Sequence, residues 1–143
     1  MDLAVLKQVT EEMIPFNKFL GIQVEEATHG RVRLALPFRP ELIGDPTKQA
    51  LHGGVLSTLA DVAGGIAVWS SLESLWSLVS TIDLRVDYLR PGRPERLLAE
   101  GLVIRTGNRV GVADVRLFHP SHEAETIATG KGVYAIKAKT PKH

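Results

Sequence analysis

Residues 53–72 read GGVLSTLADVAGGIAVWSSL, and this stretch constrains the fold more than any other. In a helix, Val55, Leu56, Leu59, Ala60, Val62, Ala63, Ile66, Ala67, Val68 and Trp69 would cover nearly the whole circumference. A helix that is apolar all round is a buried one, so the rest of the chain has to wrap it. The many Ala, Gly and Ser residues allow a sheet to come close. Gly64-Gly65 in mid-helix costs roughly 1 kcal/mol per glycine relative to alanine, which points to close approach of another backbone there.

The flanking sequence supplies the wrapping. RVRLALPF (31–38) alternates, with Val32, Leu34, Leu36 and Phe38 on one face, and with GIQVEEAT before it and His29-Gly30 between it reads as a β-hairpin. STIDLRVDYLRP (80–91) sets Ile82, Leu84, Val86 and Tyr88 against Thr81, Asp83, Arg85 and Asp87. RLLAEGLVIRTG, RVGVADVRLFH and ETIATGKGVYAIKA follow, separated by the turn signals Gly107-Asn108 and Pro120-Ser121-His122. The last strand is the thinnest of these because it contains Gly130 and Gly132. At the start, Leu3, Leu6, Val9 and Met13 recur at helical spacing, with Asp2 as N-cap and Pro15 closing the segment. Residues 39–51 hold two prolines and a glycine and read as an irregular loop, and 139–143 as a solvated tail. The order is helix, two strands, helix, four strands: an α+β domain with an antiparallel sheet against one central helix and a helical segment at 1–20.

At 143 residues the chain suits a single domain, 1–143. A net charge of +1 with no basic block gives no electrostatic case for nucleic acid. The absence of cysteine removes disulfides and thiolate metal sites and fits a reducing cytoplasm. MDLAVLKQVTEEM lacks the long apolar core of a signal peptide, and no run reaches the roughly 18 apolar residues of a membrane span. His119 and His122, with no cysteine near them, make a poor metal site.

Asp61 stands out within the apolar helix. Three and four positions away lie Ser57, Thr58, Gly64 and Gly65, so no local cation can pair with it. Either it bonds the Ser57 or Thr58 hydroxyl, or an arginine from the sheet, or it is a carboxylate kept in an apolar pocket as a base or nucleophile. Gly53-Gly54 after His52 allows two readings as well: a tight loop-to-helix turn, or exposed helix-start N–H groups that a carbonyl oxygen can approach. Gly54 and Asp61 are seven residues apart, about 10 Å along one helix. If both serve one reaction centre, two copies of the helix must meet antiparallel, as in a two-fold homodimer.

His52-Gly53-Gly54, Asp61 seven residues after the second glycine, and STIDLRVDYLRP beyond resemble the hotdog-fold acyl-CoA thioesterases, and most closely the phenylacetate-pathway and 4-hydroxybenzoyl-CoA thioesterase branch. The resemblance covers about 15–138. It implies a sheet wrapped around a central helix, dimers often paired into homotetramers, and hydrolysis of small, medium-chain or aromatic acyl-CoA thioesters without a metal or other cofactor. It implies that the Gly54 N–H polarises the thioester carbonyl, that Asp61 is general base or nucleophile, and that Thr81 orients the water or the carboxylate unless it is purely structural. His52 and Gly53 would shape the substrate loop, with His52 as a buttress. Relatives often carry Asn or Gln where this chain has Pro46, leaving Gln49 or Thr47 to compensate. Coenzyme A phosphates would need cations, and Arg90, Arg93, Arg105, Arg109 and Lys131 lie near strand ends or turns. Two other expectations fit the same motif: an acyl-CoA-binding module without turnover, and an enoyl-CoA hydratase or dehydratase.

Overall fold

The computed structural model describes residues 2–139, so the last four residues of the expected tail lie outside it. The long helix forms as its composition requires, over Gly53–Ser70, and is named α3 because two short helices precede it: α1 (Leu3–Gln8) and α2 (Pro15–Leu20). Six strands form one antiparallel sheet: β1 (Gln23–Thr28), β2 (Arg31–Leu36), β5 (Leu78–Tyr88), β6 (Leu97–Thr106), β7 (Val110–His119) and β8 (His122–Lys137). Their order across the sheet is β1-β2-β6-β7-β8-β5, so β5 leaves the sequence order and closes the far edge. The sheet curls around α3, and Leu34, Leu59, Ala60, Ala63, Ala99, Leu117 and Ala128 are fully buried between them. This is the hotdog arrangement. With a mean hydropathy of 1.2 over 18 residues, α3 has the length and composition of a membrane span, although no such run was expected. Its apolar surface is matched by the sheet instead.

The structure corrects four local expectations. Pro15 opens a helix rather than ending one. α1 passes into a π-helical turn (Val9–Met13), Ile14 is extended as residues before proline tend to be, and Pro15 takes the first position of α2. Gly21, at φ 78°, caps the C-terminus of α2.

The glycines of α3 face a side chain, not a backbone. A methyl at Gly64 would overlap the hydroxyl of Tyr134, and one at Gly65 would stand 3.3 Å from its ring. Gly132 makes room for the same ring, so a glycine expected to thin β8 instead lets the longest strand, 16 residues, carry a buried tyrosine under the helix. The close backbone approach lies elsewhere: a methyl at Gly101 would overlap the carbonyl oxygen of Ala63.

The loop at 39–51 has order of its own. After a short 3₁₀ turn (Pro40–Leu42), β3 (Ile43–Asp45) and β4 (Ala50–Leu51) pair antiparallel. The Asp45 carboxylate closes their turn by accepting from the N–H and hydroxyl of Thr47 and from the N–H of Lys48. The Thr47 hydroxyl above all holds the Asp45 carboxyl below its ordinary range.

Finally, β5 does not alternate uniformly. Its register against β8 shifts between Thr81 and Asp83. Before this bulge the odd-numbered Val79 and Thr81 face α3; after it the even-numbered Leu84 and Val86 are the half-buried ones. Uninterrupted alternation puts Thr81 on the opposite face from Leu84 and Val86, and the bulge turns it inward.

Candidate active site

The bulge brings Thr81 to Asp61. The Thr81 hydroxyl donates to Asp61 Oδ1 at 2.7 Å. Asp61 therefore bonds neither of its expected local partners. Ser57 and Thr58 donate instead to the Gly54 carbonyl, at 3.1 and 2.7 Å, and no arginine pairs with Asp61 among the described residues. Asp61 is half-buried, on a side of α3 that the chain's own sheet leaves open. One carboxylate oxygen is held by a neutral donor, so the charge is oriented without being neutralised by an ion pair. Beneath it the Tyr134 hydroxyl donates to the Asp61 backbone carbonyl at 2.9 Å. Burial, and then the nearby Asp61 charge, raise the Tyr134 phenol well above its ordinary range, so it stays a neutral donor.

Asp61 and Thr81 stand at the wall of a cavity of about 330 Å³. Val62, Ile66 and Trp69 of α3 line it on one side and Leu78 and Val79 of β5 on another, while Val9 and Ile14 of the N-terminal segment cover it. Such a space, mostly apolar with a few convergent polar groups, is the usual form of a small-molecule site.

At the start of α3, His52 accepts a hydrogen bond from the Gly54 N–H on Nδ1, at 2.8 Å. His52 is thus the N-cap of the helix, a role usually taken by Ser, Thr, Asp or Asn. With Nδ1 accepting, the neutral ring carries its proton on Nε2. This bond occupies the Gly54 N–H. The Gly53 N–H, one residue earlier, donates to no group among the described residues. The Gly53 carbonyl accepts from the Tyr88 hydroxyl at 3.3 Å, tying the end of β5 to the helix start.

Gln49 and Thr47 are both engaged inside the β3–β4 turn. Gln49, at φ 52°, donates from Nε2 to the Pro46 carbonyl at 3.0 Å, and the Thr47 hydroxyl serves Asp45. Neither side chain makes good what Pro46 lacks.

Arg90 lies beside Gly53 and Tyr88 on a shallow hollow and pairs with Glu125 at 3.3 Å, an acid that Arg93 shares at 3.0 Å. Lys131 pairs with Asp114 at 3.2 Å on the outer face of the sheet. Arg105 and Arg109 lie at the β6–β7 turn, near the C-terminal end of α3, with no ion pair among the described residues. Within one chain, then, Arg90 and Arg109 are at opposite ends of the helix. His119 and His122 act separately. Buried His119 accepts the Arg93 N–H on Nε2 and bonds the Arg96 carbonyl through Nδ1, and His122 meets Arg93 and Ser121.

This combination of a sheet-wrapped helix, an amide-rich helix start and a carboxylate at an apolar cavity defines a class: hotdog-fold hydrolases acting on an activated carbonyl. A model of the thioesterase superfamily matches residues 48–125, which run from the β3–β4 turn to the beginning of β8. The chain belongs to the thioesterase superfamily and is an enzyme of the thioester-hydrolase class. It is 37% identical over 146 residues to the medium/long-chain acyl-CoA thioesterase YigI of Escherichia coli, covering 92% of this chain and 93% of that one. Identity to the protein of the same name from Salmonella typhimurium is 39%, with the same coverage. Among solved structures, a protein from Shewanella oneidensis related to the thioesterase superfamily superposes with a TM-score of 0.84 at 35% identity, covering 94% of this chain and 95% of that one. The thioesterase HI1161 of Haemophilus influenzae, at 22% identity and a TM-score of 0.83, shares the fold.

Proposed function

We propose that the chain is an acyl-CoA thioesterase that works as a homodimer, with each site shared between two copies of α3. The observation that carries the reading is the Asp61–Thr81 pair at an apolar cavity: a carboxylate oriented by a hydroxyl, with one oxygen free for chemistry. As general base, Asp61 takes a proton from water as its oxygen bonds to the thioester carbon; the C–S bond then breaks and the thiolate leaves with a proton. As nucleophile, Asp61 itself bonds to that carbon, the thiolate leaves, and water hydrolyses the resulting anhydride. Both routes need the same free oxygen and the same polarised carbonyl.

The donors for that carbonyl come from the start of the partner's α3, since Gly54 and Asp61 of one helix are about 10 Å apart. Gly54 N–H can serve once the His52 ring moves off it, and Gly53 N–H needs no such release. The free edge of the sheet supports the second copy. β5 runs for 11 residues with Leu78 and Ile82 more than half exposed, whereas β1 at the other edge is short and bears Glu25 and Glu26. A long apolar edge is one that pairs, and antiparallel β5–β5 pairing sets two α3 helices side by side in opposite directions. Arg90 of one protomer and Arg109 of its partner then fall at one end of the assembly, as candidates for the coenzyme A phosphates. Pairing of two dimers into a tetramer is the further step that the family resemblance suggests.

For the acyl group, the HGG…D motif points to the aromatic branch, while the YigI relatives are named for medium and long chains. The cavity, walled by aliphatic and indole side chains, favours the second. Hydration of an enoyl group is less well supported, because the His52 ring bonds a backbone N–H and not a carboxylate.

Asp61→Asn tests the reading. It should keep the fold and lower thiol release from acyl-CoA by about 10³-fold, within the usual range for a lost acid–base group. Full retained activity, or a stable and active monomer in sedimentation, would refute the shared site.

A further inference from the structure

The cavity beside Asp61 is elongated and has a direction. Its α3 wall is formed by Val62, Gly65, Ile66 and Trp69, residues that follow Asp61 at helical spacing along one side. Trp69 is eight residues beyond Asp61, about 12 Å along the helix axis. β5 runs beside it in the opposite sense, from Thr81 back through Val79 to Leu78, so both walls lead from the carboxylate toward the indole. Val9 and Ile14 line a further side. Trp69 is itself held firmly, 7% exposed and part of the main apolar core. The reacting carboxylate is thus at one end and a fixed bulky ring at the other.

We propose that the acyl chain of the substrate lies along α3 from Asp61 toward Trp69, and that the Trp69 ring is the stop that sets the longest chain accepted. This rests on the thioesterase reading and narrows its substrate to straight, unbranched acyl groups of medium length. A channel of about 12 Å beside a helix suits an extended alkyl chain, whereas a single aromatic ring would fill only its first half. Apart from Asp61 itself, no residue lining the cavity is charged. An acyl group with a carboxylate at its far end would bury that charge unpaired, at a cost that excludes it. Ile66 lies on the same wall between Asp61 and Trp69, so chain length is read between two positions on one helix.

Two substitutions, one midway along the channel and one at its far end, should act in opposite directions. kcat/KM is measured by thiol release for a ladder of straight-chain acyl-CoAs from butanoyl to hexadecanoyl, with the wild-type protein and with Ile66→Phe, Trp69→Phe and Trp69→Ala. Trp69→Ala should shift the optimum to longer chains, raising the long-to-short ratio of kcat/KM by about tenfold, the effect of a few methylenes in an apolar pocket. Trp69→Phe should shift it the same way by less. Ile66→Phe, which narrows the channel midway, should lower the same ratio by a similar factor. If Trp69→Ala does not fold, Trp69→Phe and Ile66→Phe decide. An unchanged length profile in folded variants, or an equal fall at every length, overturns the proposal while leaving the thioesterase reading intact. Thiol release from no member of the ladder by the wild-type protein overturns both.

Discussion

Along the sheet-facing side of α3, Leu59, Ala60, Ala63, Ala67 and Val68 have no exposed surface, while on the other side Gly54, Thr58, Asp61 and Gly65 remain wholly or partly open. Small residues recur on both sides, yet they do different work. On the sheet side they let strands come within contact of the helix backbone, as Gly101 does at the Ala63 carbonyl. On the open side they leave donors and a carboxylate within reach of something outside the chain. Smallness therefore has no single meaning in this helix; what lies opposite decides it. Changes on the first side should cost stability, and changes on the second should cost turnover.

That contrast can be broken by measurement. The largest expected effect on the sheet side is that of Gly101→Val, whose side chain would meet backbone that cannot turn aside; unfolding should become easier by about 3 kcal/mol, read as a lower midpoint in urea. On the open side, Thr81→Val removes the hydroxyl that orients Asp61 while keeping the shape. Turnover should fall about tenfold, a smaller loss than removal of an acid–base group itself, with the urea midpoint nearly unmoved. A large loss of stability in Thr81→Val would show that the open side is structural after all. Tyr134→Phe probes the boundary between the two. Its hydroxyl reaches up to the Asp61 carbonyl from the sheet, and its loss should cost about 1 kcal/mol of stability with a smaller change in turnover than that of Thr81→Val. A larger loss of turnover in Tyr134→Phe would place Tyr134 with the catalytic side.

Most of the frame was legible in order and type. The all-round apolar helix, the strand alternation and the turn dipeptides follow from short-range periodicity, and each formed close to its expected span. The local errors share one cause. In sequence, Pro15, Gly130 and Gly132 read as breaks in structure and Gly64-Gly65 as a close backbone approach, whereas their roles come from what they touch: a helix start for the proline, and the Tyr134 ring for three of the glycines. His52 as N-cap left no signal of its own, since capping by imidazole depends on how the loop seats the residue: the Leu42 carbonyl accepts the His52 backbone N–H, and Gly44 leaves room for its side chain.

The site divides in the same way. Asp61 was conspicuous in sequence because an unpaired carboxylate in an apolar helix is costly wherever the helix packs. Its partner Thr81 was named only through the family resemblance, because uninterrupted alternation puts it on the wrong face of β5. A one-residue bulge reverses inside and outside, and nothing in STIDLRVDYLRP marks where it falls. By itself, then, the sequence determined that a helix is buried, that a sheet wraps it, and which residue carries the charge, since these depend on residue type and spacing along the chain. Only the tertiary structure decided which hydroxyl meets that charge, which N–H is already taken, and in which direction the cavity runs. Those depend on the register between strands far apart in sequence, where a shift of one position exchanges the two faces.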